Sequence, residues 1–207
     1  MLLAFADYLI ANHYSPSQIS VLSLYNGQLK LLKRQAMNYS RFNGKSKITF
    51  STVDNYQGEE NDIILLSLVR SNRNNSIGFL KIANRVCVAL SRARQGLFIF
   101  GNASCLKNHG LMIKKTDPKD SIWMKVLHVL KENNAISKFL PLKCETHGNV
   151  SKVTNMKDFK KFSHGGCLEK CEIRLTCGHA CDRLCHPIVK TEDNESGHAQ
   201  INCTKKY

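Results

Sequence analysis

The sequence of 207 residues is short of acidic side chains and has no long apolar run. Its 16 Asp and Glu residues stand against 30 Lys and Arg residues, which gives a formal charge of +14 at pH 7. This imbalance favours a polyanionic partner, of which nucleic acid is the commonest, over a merely basic soluble protein. No apolar stretch approaches the roughly 20 residues that a membrane-crossing helix needs, so we expect no membrane span.

A secretory leader is also missing from residues 1–11, which lack a basic start and contain Asp7. Glycosylation sequons would suit a secreted chain, but we interpret them as a by-product of an Asn-rich sequence. They occur at Asn38, Asn74, Asn102, Asn149, Asn194 and Asn202. The sequence therefore predicts an intracellular protein, cytoplasmic or nuclear, in a reducing compartment.

A complete ATP-binding P-loop is the third absence. The motif G-x-x-x-x-G-K-S/T has to open a helix. Gly44-Lys45-Ser46 imitates its end, but Tyr39 stands at the first glycine position and a strand is predicted next. No Walker B acidic pair follows a suitable strand either. We therefore expect that this chain alone does not hydrolyse ATP at the rate of a helicase.

Apolar periodicity predicts an α/β domain over residues 1–140. Predicted strands lie at 19–24, 48–53, 63–69 and 97–100, and predicted helices at 2–10, 26–37, 79–93 and 122–130. Strands that alternate with helices predict a parallel sheet with flanking helices. The periodicity fades near residues 140–143, so residues 141–207 are predicted to form a small, irregular zinc-binding segment.

A polar segment at residues 51–62 lies between two predicted strands. The carboxyl ends of parallel strands are where such folds bind ligands, and Gly58 would allow a close backbone approach. Asp54, Gln57 and Glu60 are more polar groups than a simple turn needs. Taken alone, the segment fits a surface turn equally well.

A basic segment follows at residues 85–94. If the segment is helical throughout, Arg85 and Arg92 share one face, because they are seven positions apart. The planar guanidinium of Arg can stabilise charge on a transferring phosphoryl group. Solvated charges on an ordinary helix are the alternative.

Together with residues 21–28 and 67–72, these two segments resemble motifs IV to VI of superfamily 1 helicases of the nonsense-mediated-decay type. The order and the spacing match, and the resemblance covers about residues 15–105. It implies a second RecA-like motor domain that binds single-stranded RNA or DNA. It also implies that ATP, with Mg²⁺, is shared with a first RecA-like domain located upstream in the same protein.

The resemblance implies roles for individual residues as well. Arg92 would be the arginine finger that reaches the γ-phosphate, with Arg94 and Gln57 as its catalytic partners. ATP binding would involve Gly58 beneath the phosphates, Glu60 at the ribose, and Arg85. Contacts toward the nucleic-acid channel would come from Ser23, Tyr25, Thr52, Asp54 and Arg70.

Seven of the nine cysteines lie among histidines in the last third of the chain. Thiolate and imidazole groups at short spacing indicate Zn²⁺ rather than disulfides, and free structural cysteines are the alternative. One tetrahedral site is predicted from Cys144, His147, Cys167 and Cys171. A second is predicted from Cys177, His179, Cys181, Cys185, His186, His198 and Cys203. His164 breaks the spacing and is left out.

Residues 165–187 resemble the X-box-binding-factor type of zinc finger. One family joins such fingers to a superfamily 1 helicase, namely the zinc-finger-containing RNA helicases active in small-RNA inheritance and antiviral defence. This resemblance implies small-RNA silencing machinery as a partner. The long gap between His186 and His198, together with the end at Tyr207, leads us to expect an incomplete second site.

The sequence thus predicts the C-terminal motor half of an ATP-dependent RNA helicase with a zinc-finger tail. A catalytically inactive RNA-binding scaffold module is the alternative. A ligase-like module would need a cross-brace ligand spacing that this sequence lacks.

Overall fold

Short apolar runs separated by polar, helix-forming segments build a four-stranded parallel sheet. In a computed structural model, which describes residues 1–44, 46–112, 121–162, 165–175 and 177–186, the strand order is β2-β1-β3-β4. The strands are β1 (Ile19–Ser23), β2 (Thr49–Thr52), β3 (Asn61–Ser67) and β4 (Ala93–Phe100). All five residues of the internal strand β1 are buried, Ser20 and Ser23 included, as expected for a strand inside a parallel sheet.

Four helices follow the sheet segments in the chain: α2 (Asn26–Ala36), α3 (Ala83–Leu90), α4 (Ala103–Met112) and α5 (Ile122–Glu132). Residues of α3, α4 and α5 join the sheet in one core, to which Leu22, Ile64, Leu66, Val86 and Trp123 belong. The helix α2 buries Leu32 and Ala36 and contacts β1 and β2. The predicted α/β architecture, with a parallel sheet and flanking helices, is confirmed.

The helix predicted over residues 79–93 is wrong in its extent. A 3-10 turn occupies Gly78–Lys81, and α3 begins only at Ala83 because Ile82 takes an extended conformation. The helix ends at Leu90, and β4 begins at Ala93, where it pairs with Asn61. Strand β4 therefore begins four residues earlier than the apolar run 97–100 indicated, and its pairing with β3 is longer by the same segment.

The chain divides into two compact units. The first, which we call the sheet unit, comprises Leu2 and Tyr14–Ser137. The second, which we call the cysteine unit, comprises Met1 and Leu3–His13 together with the residues from Lys138 onward. The helix α1 (Leu2–Ala11) thus groups mainly with the end of the chain. The predicted domain division between residues 140 and 141 stays a prediction.

In the cysteine unit, an antiparallel hairpin follows the boundary that the sequence indicated. Strand β5 (Leu140–Lys143) pairs with β6 (Val150–Val153), and a 3-10 helix follows at Asp158–Phe162. The ring of Phe159 lies 6.0 Å from the ring of Phe5 and 5.3 Å from the ring of Tyr8, so α1 packs onto this segment.

In the part of the chain that the structure describes, each helix is too short or too polar to cross a membrane.

Candidate functional site

The polar loop predicted to bind a ligand begins where β2 ends and is anchored to β1 at two points. The N–H of Val53 donates to the carbonyl of Ser23 over 3.0 Å. The buried Tyr56 shares a hydrogen bond of 2.9 Å with the hydroxyl of Ser20. These two anchors leave residues 57–60 exposed, with Gly58 at a φ of +83°.

Arg92 lies beside this loop, but it does not lie on α3. Because the helix ends at Leu90, the predicted helical face shared with Arg85 is wrong. The guanidinium of Arg92 donates three hydrogen bonds. Its Nε donates to the carbonyl of Val88 over 3.2 Å, Nη1 to the carbonyl of Glu59 over 3.3 Å, and Nη2 to Ser91 Oγ over 2.9 Å.

Arg94, at the start of β4, joins the same group of side chains. Its Nε lies 3.1 Å from Glu60 Oε1, and its Nη1 lies 3.6 Å from Asp62 Oδ1. Ion pairs as exposed as these contribute roughly 0–1 kcal/mol to stability. Arg92, Arg94 and Glu60 therefore gather where β3 and β4 begin, not at the carboxyl ends of the strands as the sequence had indicated.

A second group of predicted residues lies at the carboxyl ends of the strands. Arg70 Nε donates to the hydroxyl of Tyr25 over 2.8 Å, and its guanidinium carbon lies 4.9 Å from the centre of the Tyr25 ring. The Tyr25 and Phe79 ring centres are 5.4 Å apart, and the guanidinium of Arg85 lies 4.8 Å from the Phe79 ring. Arg85 Nε then donates to Asp54 Oδ1 over 2.7 Å.

We call these five side chains the aromatic row; they are Arg70, Tyr25, Phe79, Arg85 and Asp54. The structure thus brings Arg85, which was predicted at the ATP site, together with residues predicted for nucleic acid. Sequence reasoning missed Phe79, whose side chain is 49% exposed although it is large and apolar. The sequence signal for Phe79 is weak: an aromatic residue directly after Gly78, between Arg70 and Arg85 in the sequence.

Two backbone features hold the aromatic row. Val69 has a φ of +66°, and the N–H of Arg70 bonds to the carbonyl of Leu68 over 2.7 Å, which makes a tight three-residue turn. Gly78 has a φ of +53°, and a Cβ there would lie 2.6 Å from the Tyr25 hydroxyl and 2.9 Å from Arg70 Nη2. The row therefore depends on a residue without a side chain.

Ser23 and Thr52, also predicted toward nucleic acid, are buried. Ser23 Oγ accepts the N–H of Tyr25 over 3.2 Å, and Thr52 Oγ1 accepts the N–H of Asn55 over 3.3 Å. Both hydroxyls shape the turns that follow their strands, so they lie beneath the surface that Tyr25 and Asp54 help to form.

Among its described residues, the cysteine unit contains two clusters of side chains that could hold a metal ion. Cys144, His147, Cys167 and Cys185 form the first, with all four donor atoms within 4.8 Å of one another. Cys144 Sγ lies 3.5 Å from Cys185 Sγ, and His147 Nδ1 lies 3.4 Å from Cys167 Sγ. A tetrahedral zinc ion with Zn–S bonds of about 2.3 Å separates its ligands by about 3.7 Å, so the donor set fits Zn²⁺.

The second cluster contains Cys171, Cys181 and His186. Cys181 Sγ lies 3.7 Å from His186 Nε2, and Cys177 packs against the buried group of Cys171 and Cys181. Cys177 Sγ also lies 3.6 Å from His179 Nδ1.

The grouping of ligands predicted from sequence was therefore wrong at two positions. Cys185 belongs with Cys144 rather than with its neighbour His186, and Cys171 belongs with Cys181 rather than with Cys167. At Gly166 a Cβ would collide with the carbonyl of Cys185, so the glycine lets the segment around Cys167 approach the segment around Cys185. His164, His198 and Cys203 lie outside the described residues.

The pKa values of the thiols shift in different directions. Burial raises the pKa of Cys171 and of Cys185. Burial acts the same way on Cys144, but hydrogen bonds, foremost from the backbone of His147, outweigh burial and lower its pKa. Crowded, buried thiols of this kind become thiolates when they coordinate a divalent ion.

A parallel sheet with arginines gathered beside its loops, together with cysteine and histidine clusters, defines an α/β domain with a segment of the zinc-finger type. The comparison with protein families places the chain more closely. The chain belongs to the AAA domain family, whose model matches residues 1–104.

The most similar relatives include the NFX1-type zinc finger-containing protein 1 of Mus musculus, 44% identical over 200 residues, which are 96% of this chain. The helicase required for RNAi-mediated heterochromatin assembly 1 of Schizosaccharomyces pombe is 43% identical over 66% of the chain. The regulator of nonsense transcripts 1 homolog of Neurospora crassa is 42% identical over 46% of it. The resemblance to the C-terminal portion of a superfamily 1 helicase with zinc fingers is confirmed.

The chain spans 9% of the length of the Mus musculus relative, 12% of the Schizosaccharomyces pombe protein and 9% of the Neurospora crassa protein. It is a helicase-related domain.

Proposed function

We propose that this chain supplies the C-terminal motor half of an ATP-dependent RNA helicase and carries a zinc-binding tail. The observation that supports the proposal most is the position of Arg92. Three hydrogen bonds hold its guanidinium beside the exposed residues 58–60. An arginine fixed in this way can stabilise the charge that develops on a phosphoryl group held by a facing domain.

In this proposal a first RecA-like domain of the intact protein holds ATP and Mg²⁺ on a P-loop. Arg92 acts as the finger, and Arg94 fixes the loop through its ion pair with Glu60. Gln57, Gly58 and Glu60 face the nucleotide. The alternating closure and reopening of the two domains would move the protein along a single strand.

The aromatic row is proposed as the nucleic-acid contact of the sheet unit. Tyr25 and Phe79 provide aromatic surface for bases, and Arg70 provides charge for phosphates. We also propose that Arg85 acts here rather than at ATP, because it pairs with Asp54 over 2.7 Å and lies against Phe79. Ser23 and Thr52 would support this surface from below.

The tail is proposed to hold structural Zn²⁺ in both cysteine clusters. Zinc supplies no redox chemistry and ties together loops that have too little apolar surface to fold alone. His198 and Cys203 are further proposed ligands. Reduced thiols of this kind support a cytoplasmic or nuclear location.

Small-RNA silencing machinery is the proposed partner of the intact protein. One of the relatives is named as a helicase required for RNAi-mediated heterochromatin assembly, which supports this partner class.

The arginine finger is tested with Arg92→Ala in the intact protein. We expect RNA-stimulated ATP hydrolysis to fall about 10³-fold or more, the usual effect of losing such a finger, while the affinity for ATP changes little. Steady-state phosphate release and equilibrium binding of a fluorescent ATP analogue measure the two quantities.

Arg34→Ala, which removes an exposed arginine from α2, is the matched control and should leave hydrolysis unchanged. Normal turnover in Arg92→Ala would overturn the finger assignment. An intact wild-type protein that binds RNA but never hydrolyses ATP would favour the inactive scaffold instead.

A further inference from the structure

The exposed face of the β5–β6 hairpin is a basic surface that the motor proposal does not use. In the hairpin register, Pro141 lies opposite Lys152, and Lys143 lies opposite Val150. These four residues are exposed, whereas Leu142 and Ser151 are half-buried and Val153 is buried. The alternation gives the hairpin one face toward the unit and one face toward solvent.

An aromatic ring and a lysine are paired on this hairpin. Lys152 Nζ lies 4.9 Å from the centre of the half-buried Phe139 ring, and Phe139 directly precedes β5. Residues 138–156 contain three lysines but only one acidic residue, Glu145. In the described ranges, neither Lys143 nor Lys152 lies within ion-pair distance of a carboxylate. A surface with positive charge beside an aromatic ring matches the phosphates and bases of a single strand.

The hairpin is also tied to the first cysteine cluster. Cys144 follows Lys143, and its N–H donates to the carbonyl of Asn149 over 2.8 Å, which closes the turn between the strands. Cys144 and His147, two members of the cluster, lie in this turn. The pairing that places Lys143 beside Val150 is therefore set by the same turn that holds the metal donors.

We propose that the exposed face of the β5–β6 hairpin is a second binding site for single-stranded nucleic acid. Lys143 and Lys152 contact consecutive phosphates, and the Phe139 ring receives a base when Lys152 turns from the ring to a phosphate. The site shares no residue with the aromatic row or with the loop beside Arg92, so it does not depend on ATP or on the arginine finger.

The site is tested by the binding of fluorescein-labelled oligouridine of 12 nucleotides to the zinc-loaded chain, followed by fluorescence anisotropy. In Lys143→Ala/Lys152→Ala we expect an affinity loss of about tenfold. The slope of log K against log salt should become shallower by about 1.4, because two phosphate contacts on a single strand contribute roughly 0.7 each. Phe139→Leu, which keeps apolar bulk without a ring, should weaken binding with no change in that slope.

Lys157→Ala/Lys160→Ala is the matched control, because it removes the same charge from exposed positions of the same unit. It should reduce affinity by less than about twofold and leave the slope of log K against log salt nearly unchanged, since we place no specific phosphate contact there. Zinc content, measured by elemental analysis, has to be equal in all four proteins, and a variant that lost zinc is replaced by Lys152→Gln alone.

Equal losses of oligouridine affinity in the two double variants would overturn the proposal, because they would show that binding depends on overall charge and not on Lys143 and Lys152. Unchanged binding in Lys143→Ala/Lys152→Ala would overturn it as well. Displacement of the oligouridine by polyglutamate at equal charge concentration would show that any polyanion is accepted, and it would also contradict the proposal. These readings are taken without ATP, whereas the finger assignment is tested by ATP hydrolysis, so failure of the one is distinguishable from failure of the other.

Discussion

Val69 and Gly78 determine where the side chains of the aromatic row lie. A β-branched residue at a φ of +66° is strained, and such conformations persist where the surrounding structure over-determines them. The strained turn directs Arg70 to the Tyr25 hydroxyl, and Gly78 lets the chain pass close to both. Neither requirement is visible in the sequence, where Val69 looked like the last residue of an apolar strand.

Gly78→Ala tests this arrangement at the level of one methyl group. The added Cβ meets Tyr25 and Arg70 and forces a non-glycine residue into the left-handed region, which costs about 1–2 kcal/mol. We expect a loss of stability of that size in urea unfolding and a several-fold weaker affinity for single-stranded RNA.

Gly27→Ala is the control for Gly78→Ala. Gly27 is the second residue of α2, and a Cβ there meets no atom within 4 Å. Alanine should raise the stability slightly or leave it unchanged, with unaltered RNA affinity. Wild-type affinity in Gly78→Ala would show that the aromatic row does not contact RNA.

At the scale of elements, the four strands were predicted within about four residues because each contains or adjoins apolar, β-branched or aromatic residues. The helix α4 was not predicted, since its sequence Ala103–Met112 contains polar residues and Gly110 with little periodicity. The strands of the hairpin have only four residues each, too few for alternation to be distinguished from chance. Cys185 lies beside Cys144 although the two are 41 positions apart in the sequence. The spacing of ligands along the chain does not predict such a pairing, because it does not show which distant loops come together.

The attachment of α5 to the core is a testable property of an element. Trp123 is 2% exposed, and its Nε1–H donates to the carbonyl of Leu80 over 2.7 Å. Trp123→Phe leaves that carbonyl without its donor and shortens the side chain. We expect a destabilisation of about 1–3 kcal/mol, measured by circular dichroism during urea unfolding.

Val129→Ala on the same helix is the control for this substitution. Val129 is 56% exposed, so its truncation should change the free energy of unfolding by less than about 0.5 kcal/mol. A Trp123→Phe protein as stable as Val129→Ala would show that α5 is not anchored through this residue.

At the scale of the whole molecule, the two compact units have cores of different kinds. The sheet unit has a large apolar core. The cysteine unit combines the apolar contact between Phe5 and Phe159 with small buried groups built around Cys144, Cys167 and Cys185 and around Cys171, Leu175 and Cys181. The loops that carry these cysteines have few apolar contacts of their own, so they depend on metal for stability. Metal removal should therefore affect the two units unequally.

A chelator experiment tests this difference. Elemental analysis should first find one to two zinc ions per chain, from the number of donor clusters. After chelation we expect residues 138–186 to lose protection from hydrogen exchange, because metal binding and folding are coupled there.

The only tryptophan of the chain, Trp123, lies in the sheet unit and reports on that unit alone. Its fluorescence emission should stay that of a buried indole after chelation, and added zinc should restore the protection. A red shift of the Trp123 emission on chelation would show that the sheet unit also needs the metal for its stability. Full protection from hydrogen exchange in zinc-free protein would show that the metal is not structural.

The grouping of α1 with the end of the chain has a consequence for synthesis on the ribosome. Phe5 and Tyr8 are made roughly 150 residues before their partner Phe159. At about 5–20 residues per second this delay lasts on the order of ten seconds. During that time the nascent helix exposes its apolar side, and a cellular chaperone would have a defined interval in which to hold it.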